Sequence, residues 1–349
     1  MSTATGEGIE LAKSLDESLG RILGTELLLE SARDDRPAPA PVIETISGLG
    51  LQGVAVDEEH GGLGLPLADR VRLAAVLGRH LVPASVRDDA FGAAPAFAAA
   101  AAGGDGQAAD LLEQLLDGEL STGVAITSRH GHRTFALKPE GAEMIVLLGT
   151  DRIAVHVTGG DGVEVIALEG LDPGQGLCRI EVEGAEPLIS VDGPAARRVR
   201  REFEVGLACE AFGSAERTLE LSAAYADERE QFGRPISSFQ AVAHLLAEMK
   251  LGLETSRAGI GRYVDLDGEE RAGEDDLERW RATLAHSVPA AARRACEGAI
   301  QVHGGIGFSW ELGLHLHYRR ILADQYLLGG ESASAETIGI AYLERRRTG

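Results

Sequence analysis

Apolar side chains recur every three or four residues through much of the first 118 positions, which is the spacing of one face of an α-helix. Residues 68–81 give the clearest example, and the pattern there predicts an amphipathic helix packed on a core. Its apolar face consists of Val71, Leu73, Ala74, Leu77 and Leu81. Breaks in the helical pattern fall at Pro37–Pro41 and at the loop Glu58–Pro66. We therefore predict an α-helical domain over residues 1–118.

Between about Leu120 and Val191 the pattern changes to short runs rich in β-branched residues. Turns containing glycine and aspartate separate these runs at intervals of roughly ten residues. The strand-like runs are Gly123–Ile126, Met144–Leu148, Ile153–Val157, Val163–Leu168 and Arg179–Val182. This spacing predicts a small antiparallel sheet or barrel, and we assign it to a β domain over residues 119–193.

Helical spacing returns near Pro194 and continues to the C-terminus. We predict four long helices, over residues 195–231, 237–268, 275–302 and 313–346. Turns at Phe232–Pro235 and His303–Phe308 separate three of them, and the acidic segment Asp265–Asp276 separates the second from the third. The order of helical, β and helical regions predicts an α+β protein that ends in an up-down helical bundle over residues 194–349.

Composition narrows the functional classes. The chain has 349 residues and a formal net charge of -22, which opposes binding to nucleic acid or to an anionic membrane surface. Aromatic residues make up only 4% of the chain, too few for a base-stacking platform. Three dispersed cysteines, no apolar N-terminal segment and no long apolar run together predict a cytoplasmic protein with neither secretory signal nor membrane span.

The segment Tyr225–Gln240, with the sequence YADEREQFGRPISSFQ, is the sharpest local motif. Arg229 ends a predicted helix, and the residues up to Pro235 form a tight turn. Ser237 or Ser238 is expected to cap the next helix, with Gln240 in its first turn. A guanidinium at such a corner is well placed to bind a phosphate in bidentate fashion.

A second motif, QVHGGIGF at Gln301–Phe308, directly follows a predicted helix. Its glycines allow backbone amides to approach an anion closely. Three other motifs are VDEEHGGLGL at Val56–Leu65, LGR at Leu77–Arg79 and LHYRRI at Leu316–Ile321. With these motifs in this order, the chain resembles the acyl-CoA dehydrogenase family over nearly its whole length.

The resemblance implies a fold, an activity and a cofactor. The implied fold has an N-terminal helical domain, a middle β-barrel-like domain and a C-terminal four-helix bundle. The implied activity is removal of two hydrogens from an acyl-CoA thioester, with FAD as the cofactor. Arg229 corresponds to the arginine that holds the FAD pyrophosphate, Gln231 and Phe232 line the same stretch of cofactor, and Gln240 touches the ADP half. The loop around the adenosine and its phosphates corresponds to Gln301, Val302, His303, Gly304 and Gly305.

In this family these contacts reach FAD held mainly by the neighbouring subunit, so the resemblance also implies a site shared between subunits. One departure from the family lies in the β domain. A segment resembling LTEP or MTEP usually holds the flavin ring and the acyl chain, whereas this chain has AITSRHGHR at Ala125–Arg133. Thr127 and Ser128 are candidates for hydrogen bonds to the flavin, and ordinary strand-loop polar residues are the alternative interpretation.

A second departure concerns the catalytic base. In most members a glutamate before a glycine takes the α-proton, and here the matching pair is Gly329-Gly330. Glu331 lies close by and is one candidate. Other members place the base on the first C-terminal helix, at a site near Phe203 that Glu202 and Glu204 flank. We interpret these two glutamates as solvated helix charges, so the resemblance implies no clear base in this chain.

Histidine pairs suggest a metal site, which we reject. His130 and His132 lack an evident third ligand, and His315 with His317 fits a helix near a subunit contact as well as it fits zinc. We therefore predict no metal centre.

Three functions remain open. The chain resembles the smaller subunit of actinobacterial steroid-catabolising dehydrogenases, which favours a partner subunit without its own base in a heterotetramer with a second, catalytic acyl-CoA dehydrogenase chain. The resemblance implies a steroid side-chain CoA among the substrates, and an electron-transfer acceptor that reoxidises the flavin. A self-sufficient dehydrogenase with a relocated glutamate, as a homotetramer, is the second possibility, and a flavoprotein oxidase of the same fold is the third.

Overall fold

The computed structural model describes residues 4–23, 40–127, 134–137, 141–172, 176–269, 271–330, 335–336, 338–340 and 342–343. Its N-terminal part is helical, as predicted. The helices are α1 Gly6–Ile22, α2 Ala40–Gly48, α3 Leu67–Arg79, α4 Ala84–Asp88, α5 Ala94–Ala102 and α6 Gly106–Leu116, with a π-helical turn at Asp89–Ala93. The predicted apolar face of α3 is buried at Leu73, Ala74 and Leu77.

In the described residues, the middle part is a seven-stranded sheet, and five of its strands match the predicted runs. The strands are β1 Thr122–Ile126, β2 Thr134–Leu137, β3 Met144–Leu148, β4 Arg152–Val157, β5 Val163–Ala167, β6 Leu177–Val182 and β7 Ile189–Asp192, in the spatial order β5-β6-β2-β1-β3-β4-β7. The prediction of an antiparallel sheet was wrong at one place, since β1 and β3 pair in parallel with Val124 beside Val146. The prediction also missed β2 and β7.

Four long helices follow the sheet between residues 194 and 327, as predicted. They are α7 Pro194–Glu228, α8 Gln240–Asp267, α9 Glu274–His303 and α10 Leu314–Leu327. The fourth was predicted to run to residue 346. Instead, α10 stops at Leu327, and Gly329 and Gly330 follow with φ of 88° and 70°. Left-handed backbone of this kind ends a right-handed helix, so the predicted helix is interrupted there.

Two glycines set the spacing between α3 and α7. A Cβ on Gly78, the glycine of the LGR motif, would lie 1.9 Å from the carbonyl oxygen of Glu210. A Cβ on Gly213 would lie 1.8 Å from that of Ala75. Each helix therefore contributes a glycine where it meets the backbone of the other. Arg79, at the end of the same motif, forms an ion pair with Glu220 across this contact.

One apolar cluster runs through the N-terminal helices, the sheet and the C-terminal helices. It includes Leu15 of α1, Val146 of β3 and Leu207 of α7, all less than 1% exposed. The helical and β regions therefore share a core. Within the described residues, no helix combines the length and the hydropathy that crossing a bilayer requires.

Candidate functional site

The segment after α7 is a two-residue hairpin with a strained tip. Strand β8 (Glu230–Gln231) pairs with β9 (Arg234–Pro235), and the backbone of Ile236 donates a hydrogen bond to the carbonyl of Arg229 at 2.8 Å. Phe232 and Gly233 form the tip with φ of 53° and 75°. A positive φ suits glycine but strains phenylalanine. The tip nevertheless holds Phe232 with its ring 94% exposed.

The other side of the hairpin leads into α8. The guanidinium of Arg234 stacks on the Phe239 ring at 4.2 Å, and Phe239 occupies the N-cap position of the helix. The serine cap was predicted wrongly, because the Ser238 hydroxyl donates instead to the Pro235 carbonyl at 2.6 Å. Gln240 is the first residue of α8 and is exposed, as expected. It therefore stands where unsatisfied helix amides carry partial positive charge.

An aromatic stack joins this hairpin to the glycine-rich segment. The Tyr225 ring, one turn before Arg229, lies 4.4 Å from the His303 ring at the end of α9, in a stacked arrangement. His303 is buried, and its Nδ1 donates to the Ala299 carbonyl at 2.8 Å. The two sequence motifs therefore meet at one corner of the molecule, formed by Arg229–Gln240 and Gln301–Phe308, which we call the hairpin corner.

The hairpin corner presents open backbone and unpaired cations. A Cβ added at Gly304 or Gly305 would meet nothing within 4 Å, and Gly304 has a φ of 62°. In the described part of the chain, the guanidinium of Arg229 has no ion-pair partner. Arg234 of the same hairpin likewise has no ion pair with an acid of the described residues, and its guanidinium lies on the Phe239 ring. The corner is chemically suited to a phosphorylated ligand.

The glutamates proposed as relocated bases have a different environment from the one predicted. Glu202 and Glu204 are buried, so the interpretation as solvated charges was wrong. Glu204 is held by Arg281 and by Arg200, whose Nε lies 2.8 Å from Oε1. Burial would raise the pKa of Glu204, but these two guanidinium groups outweigh it and hold that pKa below its ordinary value.

Glu202 has an equivalent arrangement. Arg70 of α3 binds one carboxylate oxygen, and Arg198 binds the other at 2.9 Å. Burial opposes the charge, but both arginines favour it, and the pKa of Glu202 is lowered. A carboxylate with both oxygens occupied and a lowered pKa is a weak proton acceptor.

A cluster of ionisable residues that sequence reasoning missed lies where α4, α7 and α10 meet. The residues are Arg87, Asp88, Asp172, Glu210, Arg320 and Asp324, and we call them the buried charge cluster. Glu210 accepts from Arg87 at 2.9 Å and from Arg320 at 2.6 Å, while Arg320 also binds Asp172 at 2.9 Å. Burial, with the charge of Glu210 nearby, raises the pKa of Asp324 well above its ordinary value. Its Oδ2 has no partner among the described residues.

Comparison with known proteins assigns the chain to a family. A family model described as "Acyl-CoA dehydrogenase, C-terminal domain" matches residues 203–342. Acyl-CoA dehydrogenase IpdE2 of Mycobacterium tuberculosis is 31% identical over 280 residues, which are 80% of this chain and 79% of that protein. The chain belongs to the acyl-CoA dehydrogenase family. FadE34, an acyl-CoA dehydrogenase of the same organism, is 34% identical over 298 residues, 83% of this chain but only 40% of that longer protein.

The fold agrees with that of solved acyl-CoA dehydrogenases. A chain of the ChsE4-ChsE5 complex from Mycobacterium tuberculosis superposes with a TM-score of 0.81 at 22% identity, covering 98% of each chain. At this identity the likeness establishes the fold. It confirms the predicted order of N-terminal helices, central sheet and C-terminal bundle. The family consists of FAD-dependent oxidoreductases, which confirms the predicted class of enzyme.

The residues at the hairpin corner fit FAD as a group that an acyl-CoA dehydrogenase would hold there. The five side chains of this corner that the resemblance assigns to FAD contacts and that are exposed are Arg229, Gln231, Phe232, Gln240 and Gln301. Gly304 and Gly305 leave the adjoining backbone open. The side chains of Val302 and His303 are buried, so these two residues support the loop from inside.

An arginine binds the stretch that the resemblance places at the flavin ring. Arg200 of α7 donates to the carbonyls of Thr127 and Leu148, each at 3.3 Å, and to the Thr150 hydroxyl at 3.4 Å. The Thr127 hydroxyl itself faces the Leu148 carbonyl at 3.5 Å. The polar groups at the ends of β1 and β3 are thus bonded within the chain. Ser128, His130, His132 and Glu331 lie outside the described residues.

The remaining histidine pair lies on α10. His317 is buried and shares a hydrogen bond with the Ser214 hydroxyl at 2.8 Å, and burial lowers its pKa to about 3. His315 packs edge-on against Trp310 at 4.5 Å. Among the residues that the structure describes, no group of three or more His, Cys, Asp or Glu side chains has the arrangement of a metal site.

Proposed function

We propose that this chain is a subunit of an acyl-CoA dehydrogenase that contributes the ADP-binding half of a FAD site shared between two chains, and that its partner supplies the catalytic base. The reaction is α,β-dehydrogenation of an acyl-CoA thioester. The observation that carries the proposal is the contrast within the chain. Its hairpin corner is open and has an arginine without an ion-pair partner in the described residues, whereas Glu202 and Glu204, the two candidate bases on α7, are held in ion pairs.

The exposure of the hairpin corner supports a shared site. Phe232 at the hairpin tip is 94% exposed, and Phe308 at the end of the glycine-rich segment is 78% exposed. Exposing large aromatic side chains to water is unfavourable, and such exposure is typical of surfaces that a ligand or partner covers. The positive φ of Phe232 adds conformational strain. A neighbouring chain that carries the rest of the FAD would cover both rings.

At the hairpin corner, this chain's residues would bind and orient the cofactor. The guanidinium of Arg229 would hold the pyrophosphate in bidentate fashion, while Gln240 and the first amides of α8 would face the ADP half. The backbone amides of Gly304 and Gly305 can approach phosphate oxygens because no Cβ intervenes. When bound, FAD accepts the β-hydrogen of the thioester as a hydride. Proton removal from the α-carbon falls to the partner in this proposal.

Two features support the absence of a base in this chain. At the position that the resemblance assigns to the glutamate, the chain has Gly329 and Gly330, both with positive φ and without a carboxylate. The helix leading to it, α10, is held by the buried charge cluster through Arg320 and Asp324. Charged side chains therefore fix α10 where it meets α4 and α7.

The partner we propose is a second acyl-CoA dehydrogenase chain in a heterotetramer, and the substrate is an acyl-CoA, with a steroid side-chain CoA as the specific candidate. The solved structure compared above is a complex of two differently named proteins, ChsE4 and ChsE5. An electron-transfer acceptor would reoxidise the flavin.

The decisive experiment measures bound flavin per chain, with and without a co-expressed partner dehydrogenase that has an intact Glu-Gly motif. We expect flavin well below one equivalent for the chain alone, and about one flavin per shared site with the partner. Full flavin and reduction by acyl-CoA from the purified chain alone would refute the proposal. In that case Glu331→Gln and Glu204→Gln would show which carboxylate is the base, as required for a self-sufficient homotetramer or a same-fold oxidase.

A further inference from the structure

The stack of Tyr225 on His303 joins the two segments that form the hairpin corner. The ring centroids are 4.4 Å apart, and the ring planes are inclined by 25°. Aromatic rings in near-parallel contact at this separation attract each other, so the stack holds together the two backbones that carry the rings. Tyr225 itself has no role among the residues assigned to FAD.

Tyr225 is also bonded to the backbone of Arg229, one helical turn later. The Arg229 amide donates to the Tyr225 carbonyl at 2.8 Å, and the Arg229 carbonyl accepts from the Ile236 amide at 2.8 Å. Both main-chain polar groups of Arg229 are therefore bonded, one to the last turn of α7 and the other across the hairpin. The point from which the guanidinium extends is thus fixed relative to Tyr225.

His303 is connected in a similar way to the glycine-rich segment. Its ring is 4% exposed, at the end of α9. The amide of Gly304 donates back to the carbonyls of Ile300 and Gln301 in the last turn of that helix. Gly307 lies so close to the same turn that a Cβ would be 2.5 Å from the Ile300 carbonyl oxygen. The glycine-rich segment therefore follows the position of His303.

In the proposed function, a single phosphorylated cofactor is held from two sides. The cation comes from the end of α7 and the open backbone amides come from the end of α9. Hydrogen bonds to a phosphate depend steeply on distance and angle, so the spacing between the two helix ends decides whether both can bind at once. The Tyr225–His303 stack lies where these ends meet.

We propose that Tyr225 is a positioning residue for FAD and acts through its stack on His303. The stack sets the distance between the guanidinium of Arg229 and the open backbone of Gly304 and Gly305. Tyr225 acts without touching the cofactor. This role rests on the proposed function, since it concerns FAD held at the hairpin corner.

The test measures the affinity of the assembled enzyme for FAD, by flavin fluorescence titration after the cofactor has been removed. Tyr225→Leu removes the stack, and we expect it to weaken FAD binding about three- to tenfold. Because Tyr225 is half-buried, its truncation leaves a smaller cavity than truncation of the buried His303. Tyr225→Phe keeps a ring that can stack, so its affinity should match that of the unaltered enzyme.

Trp280→Leu is the matched control. Trp280 is a half-buried aromatic residue on α9, about 35 Å along the helix from His303, and its loss should leave FAD affinity unchanged. Equal losses of affinity in Tyr225→Leu and Trp280→Leu would overturn the proposal. A loss in Tyr225→Phe as large as that in Tyr225→Leu would also overturn it, because the hydroxyl rather than the stack would then be responsible.

A double substitution separates positioning from simple packing. If Tyr225 acts through Arg229, then Arg229→Ala should weaken FAD binding by a smaller factor in the Tyr225→Leu background than in the unaltered chain. The same factor in both backgrounds would show that the two residues act independently, against the proposal.

Hydrogen exchange of the chain without FAD gives a second readout. We expect amides of the segment Gln301–Phe308 to exchange faster in Tyr225→Leu and at the unaltered rate in Tyr225→Phe. Unchanged exchange in both variants would contradict the positioning role. Undiminished FAD affinity in Arg229→Ala would refute the proposed function itself, whereas a loss in Arg229→Ala without a loss in Tyr225→Leu would refute only the role of Tyr225.

Discussion

The hairpin corner and the buried charge cluster both depend on arginine, but in opposite surroundings. At the corner, Arg229 is exposed and has no ion-pair partner within the described residues. In the cluster, Arg87 is 1% exposed and contacts three carboxylates, those of Asp88, Glu210 and Asp324. The first arginine is available to a ligand, and the second is committed to the fold.

This difference shows how a chain with a net charge of -22 keeps a cation available for binding. Most guanidinium groups in the described residues are matched to acids of the chain, and the few that are not include Arg229 and Arg234 of one hairpin. The predictions below separate the two roles, from the largest effect to the smallest.

Removing the buried arginine should have the largest effect. Arg87→Met leaves Glu210 and Asp88 buried with one fewer counter-charge, and we expect a loss of about 3–5 kcal/mol in the free energy of unfolding. Urea denaturation measures it. Arg79→Met is the control, because Arg79 and its partner Glu220 are partly exposed and their pair contributes about 1 kcal/mol or less. Similar losses in the two variants would contradict the assigned role of the cluster.

Removing the exposed arginine should affect binding and leave stability alone. We expect Arg229→Ala to weaken FAD retention by the assembled enzyme about 10- to 100-fold, the effect of losing a charge-assisted hydrogen bond worth about 1.5–3 kcal/mol. Its free energy of unfolding should change by less than about 0.5 kcal/mol. Flavin absorbance after gel filtration measures retention. Arg72→Ala, an exposed arginine on α3, is the matched control, and equal retention in both variants would count against the cofactor assignment.

Asp324 gives the buried charge cluster a pH dependence of defined sign. Its pKa in the folded protein is raised, so the folded state binds this proton more tightly than the unfolded chain does. Stability from this group is therefore complete below about pH 4, the ordinary carboxyl range, and decreases as the pH rises toward the raised value. Asp324→Asn removes this decrease. Urea midpoints from pH 4 to 8 should fall less steeply for the variant, and parallel curves would show that Asp324 is ionised in the fold.

The smallest effect is expected at the hairpin tip. Phe232→Asn replaces a strained phenylalanine with a residue that tolerates positive φ. The free energy of unfolding should therefore stay the same or rise by up to about 1 kcal/mol, as thermal unfolding would measure. FAD retention should decrease nonetheless, because the exposed ring is lost. Phe232→Leu, also apolar but just as strained, is the control. A clear loss of stability in Phe232→Asn would mean that the edge-to-face contact of this ring with the Phe239 ring, at 6.1 Å, outweighs the strain.

Local patterns predicted the hairpin corner well, because each motif contains its own turn chemistry. The glycine after Phe232 and the glycines after His303 specify the two bends, and a short helix-end contact, Tyr225 on His303, brings them together. The wrong serine cap shows the limit of that reasoning. The Ser238 hydroxyl donates to the Pro235 carbonyl and does not cap the helix amides.

Long-range pairing could not be predicted in the same way. Glu202 and Glu204 were interpreted as solvated because helix charges usually face water, and their partners Arg70 and Arg281 lie 132 and 77 positions away in sequence. The parallel pairing of β1 with β3 is likewise invisible in an alternating pattern. Strands β2 and β7 have four residues each, too few to show any period.

Helix α7 connects the buried charge cluster to the hairpin corner. It runs for 35 residues, about 50 Å, with Glu210 near its middle and Arg229 directly after its end, about 28 Å away. At Gly213 the backbone of α7 packs so closely on α3 that a Cβ would overlap it. The direction of the hairpin therefore depends on the buried contacts that hold α7 in place. A substitution that weakens those buried contacts would misalign the hairpin, although no hairpin residue is changed.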